Sequence, residues 1–170
     1  MRKLIVIIVL FVAVATVKVN AQTPKFGHID MTQLIQVMPE RALALGDLEK
    51  EAGDLEEMLG TMQEELQTMY EEYTTKLETM SDLVRQAKEE DIQMKQQRIE
   101  TFRMQADQQL QQKQQQLMEP ILEKADNAIA EVAKENNLLY VFDVSSRVVL
   151  YQSNQSVDVL PLVKKKLGIE

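Results

Sequence analysis

The sequence predicts an α+β fold, predominantly α, in which a long antiparallel helical hairpin, a coiled-coil arm, projects from a small β body. Three observations predict it. Apolar side chains recur at alternating three- and four-residue steps from Leu45 to Met94. A second helical stripe, about as long, runs from Ile92 to Val132. Runs rich in β-branched and aromatic residues cluster near the two ends, at 25–30 and 138–151. A 3.5-residue apolar period keeps one stripe facing a partner helix along its whole length. A helix that long, rising about 1.5 Å per residue, cannot lie within the core of a compact ball.

The elements follow in order. Arg2 and Lys3, the apolar run Leu4 to Val17 and the small-residue site Val19-Asn20-Ala21 describe a secretory signal peptide over 1–21. The apolar run has about 14 residues, against the roughly 20 needed to span a bilayer. Lys25 to Asp30 reads as a short strand. Asp30 or Thr32 then caps a short helix, Met31 to Val37, which stops before Pro39. Pro39 suits the first turn of the next helix, where a missing N–H costs nothing. Its seam is expected at Leu45, Leu48, Ala52, Leu55, Leu59, Met62, Leu66, Met69, Tyr73, Met80, Leu83, Ala87 and Met94. Gly46, Gly53 and Gly60 recur every seven residues off that seam, on an outer face or where another backbone comes close.

Charges cluster at Arg85 and Lys88 to Asp91, and the seam falters there. Folding the chain back near Ser81–Asp91 pairs the first stripe with the second, at Ile92, Ile99, Phe102, Ala106, Leu110, Leu117, Ile121, Ala125, Ile129 and Val132. Pro120 falls inside this second helix and is expected to kink or interrupt it. The glutamine-rich run 105–116 reads as solvated helix surface. Leu138 to Asp143 and Val148 to Tyr151, separated by four residues, read as a β-hairpin. A last short helix is expected after Asp158, with Pro161 in its first turn, three lysines in its last and Gly168 just beyond. The expected divisions are therefore 1–21 leader, 22–38 with 137–170 as the β body, and 39–136 as the arm. Three strands are a marginal core for one chain, and oligomerisation through the sheet is the natural remedy.

Composition excludes several functions. The formal charge is −8, and loss of Arg2, Lys3 and Lys18 with the leader makes it three units more negative, which repels nucleic acid. There is no cysteine, hence no disulfide, thiol catalysis or cysteine metal site. His28 is the single histidine, on a strand, and reads as a packed or surface residue. Adjacent carboxylates such as Glu64-Glu65 point about 100° apart on a helix and do not converge on one proton. Neither a phosphate-binding loop nor a nucleophile motif is present. No catalytic, cofactor-binding or metal residue is assigned, no cofactor is expected, and the chain does not read as an enzyme.

Phe26-Gly27-His28-Ile29-Asp30-Met31 with Met38-Pro39-Glu40, and Glu131 to Asn137 followed by Leu138–Asp143, Val148–Tyr151 and Val157 through Leu167, carry a resemblance. In this order of elements the chain resembles the Skp/OmpH family of periplasmic chaperones over 22–170. The resemblance implies a homotrimer whose chains together build a β body, with three helical arms around a cavity. It implies an ATP-independent holdase in the periplasm of a Gram-negative bacterium, which binds unfolded outer-membrane β-barrel proteins and prevents their aggregation. Known members are basic, whereas residues 47–72 here carry ten acids against Lys50 alone. Membrane or lipopolysaccharide contact is therefore not carried over.

Within that reading, Met58, Tyr70, Val84, Ile92 and Met104 are apolar positions off the expected seam and are the candidates for client contact. Phe26, Ile29, Tyr140, Phe142, Val149 and Tyr151 are the candidates for the oligomerisation body. The rival reading is a structural coiled-coil or adaptor protein of the cell envelope. It predicts a parallel, rod-like dimer with one continuous helix through Ser81–Asp91.

Overall fold

The structure, a computed structural model, describes residues 24–146 and 148–169. The expected signal peptide lies outside the described residues. The chain runs β1 (Lys25–Ile29), α1 (Met31–Val37), α2 (Pro39–Lys76), a single 3-10 turn (Leu77–Thr79), α3 (Asp82–Glu135), β2 (Leu138–Asp143), β3 (Val157–Asp158) and α4 (Leu160–Lys166). The predominantly helical α+β class expected from the sequence is the class observed.

Each helix has a chemical start or stop. The Asp30 carboxylate accepts the Gln33 N–H at 2.9 Å and so caps α1. Pro39 opens α2, and the Ser81 hydroxyl accepts the Val84 N–H to cap α3. Asn137, with φ 54°, ends α3 in the left-handed conformation that asparagine tolerates. Gly168, with φ 70°, does the same after α4. Its N–H reaches the Lys165 carbonyl while the Ile169 N–H reaches that of Lys164, the paired bonds of a Schellman stop.

The core sits at the base of the hairpin. Ile29 from β1, Leu34 from α1, Met38, Ala44 from α2, Ile121, Ala125, Ala128 and Val132 from α3, Val159, and Val163 from α4 form one buried cluster. The α3 contributors step by four, three and four, the spacing that lines one helical face. Pro120 lies in the same stretch, and α3 continues through it without interruption.

The sheet differs from expectation. It has three strands in the order β2-β1-β3, and both pairings are parallel. No hairpin joins β2 to Val148–Tyr151, which forms no strand. The physical reason lies in two local competitions. The Asp143 carboxylate accepts both the N–H and the hydroxyl of Ser145, turning the chain out of β2. The other edge of β1 is taken by Val157–Asp158, fastened by the Val159 N–H to the His28 carbonyl and by burial of Val159 and Val163. Asp158, expected as a cap, is a strand residue whose carboxylate still accepts the Leu160 N–H at 3.0 Å.

The turn of the arm also differs. It falls at Leu77–Ser81, at the near edge of the expected 81–91 interval, and residues 82–91 begin α3. Lys76 and Ser81 supply what an absent glycine or proline does not. The chain leaves α2 in a 3-10 turn and re-enters a helix on the serine cap. Past the turn the second apolar stripe sets what is buried. Leu83 and Met94, expected on the seam, are exposed, as is Leu45 at the base, while Ile92 and Ile99 are the buried pair of outer α3. Gly46, Gly53 and Gly60 face open space, which settles their outer-face placement.

Candidate functional site

The shaft is built from two helices that half-bury the expected seam of α2, from Leu48 to Tyr73, against the stripe of α3 at Phe102, Ala106, Leu110 and Leu117, with exposed polar side chains tied across it. Glu40 meets Lys124 at the base, Glu51 accepts from Gln109, Glu65 meets Lys95, and the Tyr73 hydroxyl donates to Glu89 near the turn. These links run in opposite sequence directions, so α2 and α3 are antiparallel neighbours within one chain, and the continuous rod is excluded. The Lys124 ammonium holds the Glu40 carboxyl below its usual range, and the Glu89 carboxylate pushes the Tyr73 phenol above its own. Buried apolar residues in the shaft beyond Ile121 are confined to Ile99 and Ile92.

Four of the five apolar positions singled out on the arm are exposed: Met58, Tyr70, Val84 and Met104. Tyr70 is held at its far end, where its hydroxyl accepts from Gln96 at 2.7 Å. Ile92 does not join them. It is only 6% exposed, buried with Ile99 one heptad on, in the place the second apolar stripe gives it. Leu83 and Met94 join the exposed set instead. The Ile92–Ile99 spacing is the sequence signal for this, since it places Met94 two residues off that stripe. The exposed residues of α2 sit among the acids of 47–72.

A second surface lies on the body. Phe26, Tyr140 and Phe142 project from the sheet face opposite the core, their ring centroids 6.0–6.3 Å apart. Beside them is a recess of about 560 Å³ lined by Phe26, His28, Phe142, Val149, Tyr151 and Ser156, among others. His28 is half-buried there, its Nδ1 2.8 Å from the Ser156 hydroxyl. Of the other residues singled out for the body, Ile29 points the opposite way and is consumed by the chain's own core. Val149 and Tyr151 lie outside any strand. Leu150, between them, is 90% exposed. The body thus leaves Phe26, Tyr140, Phe142, Val148, Leu150 and Tyr151 exposed.

Among the described residues no cluster of His, Asp and Glu is arranged to hold a metal ion. No helix among them is long and apolar enough to cross a membrane. A family model described as outer membrane protein (OmpH-like) matches residues 25–167. No curated protein matches the chain.

Proposed function

The chain belongs to the OmpH-like outer membrane protein family, a family of periplasmic chaperones and not of enzymes, and from that premise we propose that it is an ATP-independent holdase. It binds unfolded outer-membrane β-barrel proteins in the periplasm of a Gram-negative bacterium and prevents their aggregation. The observation that carries this reading is a polar-tied helical shaft with isolated apolar side chains standing in water along it. Isolated apolar contacts hold an unfolded chain weakly, at about 1.5–3 kcal/mol for each side chain fully buried, so release needs no nucleotide. The acidic surface keeps the loaded complex soluble.

The proposed working form is a homotrimer. Residues 1–21 are a cleaved leader, 22–38 and 137–170 the oligomerisation body, and 39–136 the arm. Phe26, Tyr140, Phe142, Val149 and Tyr151 contact neighbouring copies; Met58, Tyr70, Val84 and Met104 contact the client. Lipid and lipopolysaccharide are left out because the chain is acidic.

Light scattering on purified 22–170, alone and with a urea-diluted outer-membrane β-barrel protein, tests the reading. The expected result is a trimer that keeps the client in a defined soluble complex. A dimer that leaves the client to aggregate overturns it in favour of a structural or adaptor role. Serine at Met58, Tyr70, Val84 and Met104 together is expected to weaken client binding while the trimer mass stays unchanged.

A further inference from the structure

Half of the exposed large apolar side chains on the outer arm are thioethers. Between the base and the turn, residues 46–76 of α2 expose Met58 and Tyr70 and residues 85–121 of α3 expose Met94 and Met104, while Leu83 and Val84 stand exposed at the turn. The three methionines are 54%, 59% and 65% exposed, whereas Met38, in the core, is 2% exposed. Met58 and Met104 lie in the same stretch of the arm, and Met94 lies further toward the turn. The cross-shaft links Glu51 to Gln109 and Glu65 to Lys95 bracket Met58 on α2 and Met104 on α3, and Met94 is the neighbour of Lys95. Ten residues of helix separate Met94 from Met104, about 15 Å at 1.5 Å per residue. With no cysteine anywhere in the sequence, these thioethers are the most accessible oxidisable sulfur the described chain has.

We propose that Met58, Met94 and Met104 form a modification site, at which oxidation to the sulfoxide by a hydroperoxide weakens the arm's hold on unfolded chains. The sulfur lone pair attacks one peroxide oxygen and the O–O bond breaks. The sulfur gains that oxygen and loses two electrons, and the other oxygen leaves, after taking up the proton, as water from hydrogen peroxide or as the alcohol from an organic hydroperoxide. A flexible apolar side chain becomes a polar one, reversibly. Oxidation at these three sites leaves Tyr70, Leu83 and Val84 as the unoxidised members of the arm's exposed apolar set. Met38 is buried and Met31, Met62, Met69, Met80 and Met118 are half-buried, so a limited dose reaches the three exposed thioethers first. The effect on holding rests on the holdase reading above; the selectivity of oxidation does not.

The mature chain is titrated with hydrogen peroxide, the gain of one oxygen at each methionine is mapped by peptide mass spectrometry, and far-UV circular dichroism is recorded. Suppression of aggregation of a urea-diluted β-barrel protein is measured before oxidation, after it, and after treatment with methionine sulfoxide reductase. Met58, Met94 and Met104 are expected to oxidise several-fold faster than Met38, with helicity unchanged, a several-fold loss of suppression and its recovery on reduction. In the triple variant Met58→Leu, Met94→Leu, Met104→Leu, the ratio of suppression before and after peroxide is expected to stay near one, whatever its starting value. Met38 oxidising as fast as the three overturns the site. A wild-type chain oxidised at all three with undiminished suppression, or a triple variant as sensitive as wild type, overturns its effect. An unoxidised chain that never suppresses aggregation counts against the holdase reading instead, and the mapping still decides the site.

Discussion

Asp143 shows how one side chain decides which strands pair. Its carboxylate accepts the Met31 N–H at 3.2 Å, the Ser145 N–H at 2.9 Å and the Ser145 hydroxyl at 2.8 Å, joining the start of α1 to the end of β2. Partial burial works against its charge, but the hydrogen bonds from Ser145 and Met31 prevail and hold it below its ordinary value of 3.8. A depressed carboxyl contributes stability above its unfolded pKa and loses it as pH falls through the folded one. Asp143→Ala is therefore expected to cost about 1 kcal/mol near neutrality. The gap between variant and wild type should close below about pH 4, as followed by denaturant titration at a series of pH values. Leu34, fully buried at the centre of the core, gives the contrasting case. Leu34→Ala should cost about 2–5 kcal/mol at every pH, read from the same titrations. Gly27 is a close approach: a Cβ there would stand 2.8 Å from the Leu138 Cδ1 and 3.2 Å from the Val159 Cγ1. Gly27→Val is expected to lower the thermal midpoint through overpacking of about 1–3 kcal/mol.

At the scale of elements, periodicity made the two long helices legible, and caps made their neighbours so. Asp30, Pro39, Pro161 and Gly168 each mark a boundary through a property of one residue, and each boundary lies where that property places it. The turn was less legible because its signal is a serine cap after a 3-10 turn, without glycine or proline. Beyond it the second apolar stripe decides what is buried, which is why Ile92 went in and Met94 came out. The third strand was hidden for a different reason. Val148–Tyr151 has the better β composition, but Val157–Val159 is the segment whose side chain the core buries, and tertiary burial outweighs propensity. On the arm, the exposed Met58, Tyr70, Val84 and Met104 were legible only as apolar residues off the seam. Two predictions belong here. Gly46, Gly53 and Gly60 face open space, so alanine at each should stabilise α2 by up to about 1 kcal/mol, measured by hydrogen exchange in the shaft. Cysteines placed by Glu65→Cys and Lys95→Cys should cross-link within one chain, giving a monomer-mass band on reducing-agent-free gels; a dimer band would contradict the antiparallel shaft.

For the whole molecule, the far ends of the sequence meet in one sheet: Lys25 lies opposite Leu138, and His28 lies between Phe142 and Asp158. Lys166 adds a clasp from the last helix to the end of the shaft, 2.8 Å from both Glu131 and Glu135. Those carboxylates hold its ammonium well above the usual lysine range, while Lys166 in turn lowers Glu131. A raised lysine contributes stability below its unfolded pKa and loses it as pH rises through the folded one. Lys166→Met should therefore lower thermal stability throughout the neutral range, the gap to wild type closing in acid as Glu131 is protonated and in strong alkali as Lys166 itself loses its proton. The parallel sheet also sets an order of events. A polypeptide is made from its first residue to its last, and β1 is among the first segments of the described chain to emerge. Both strands that flank it are among the last. A product broken off anywhere before Leu138 has no strand to lay beside β1, whatever length of shaft it has completed. The body thus closes only once Leu138–Asp143 and Val157–Asp158 have followed the shaft.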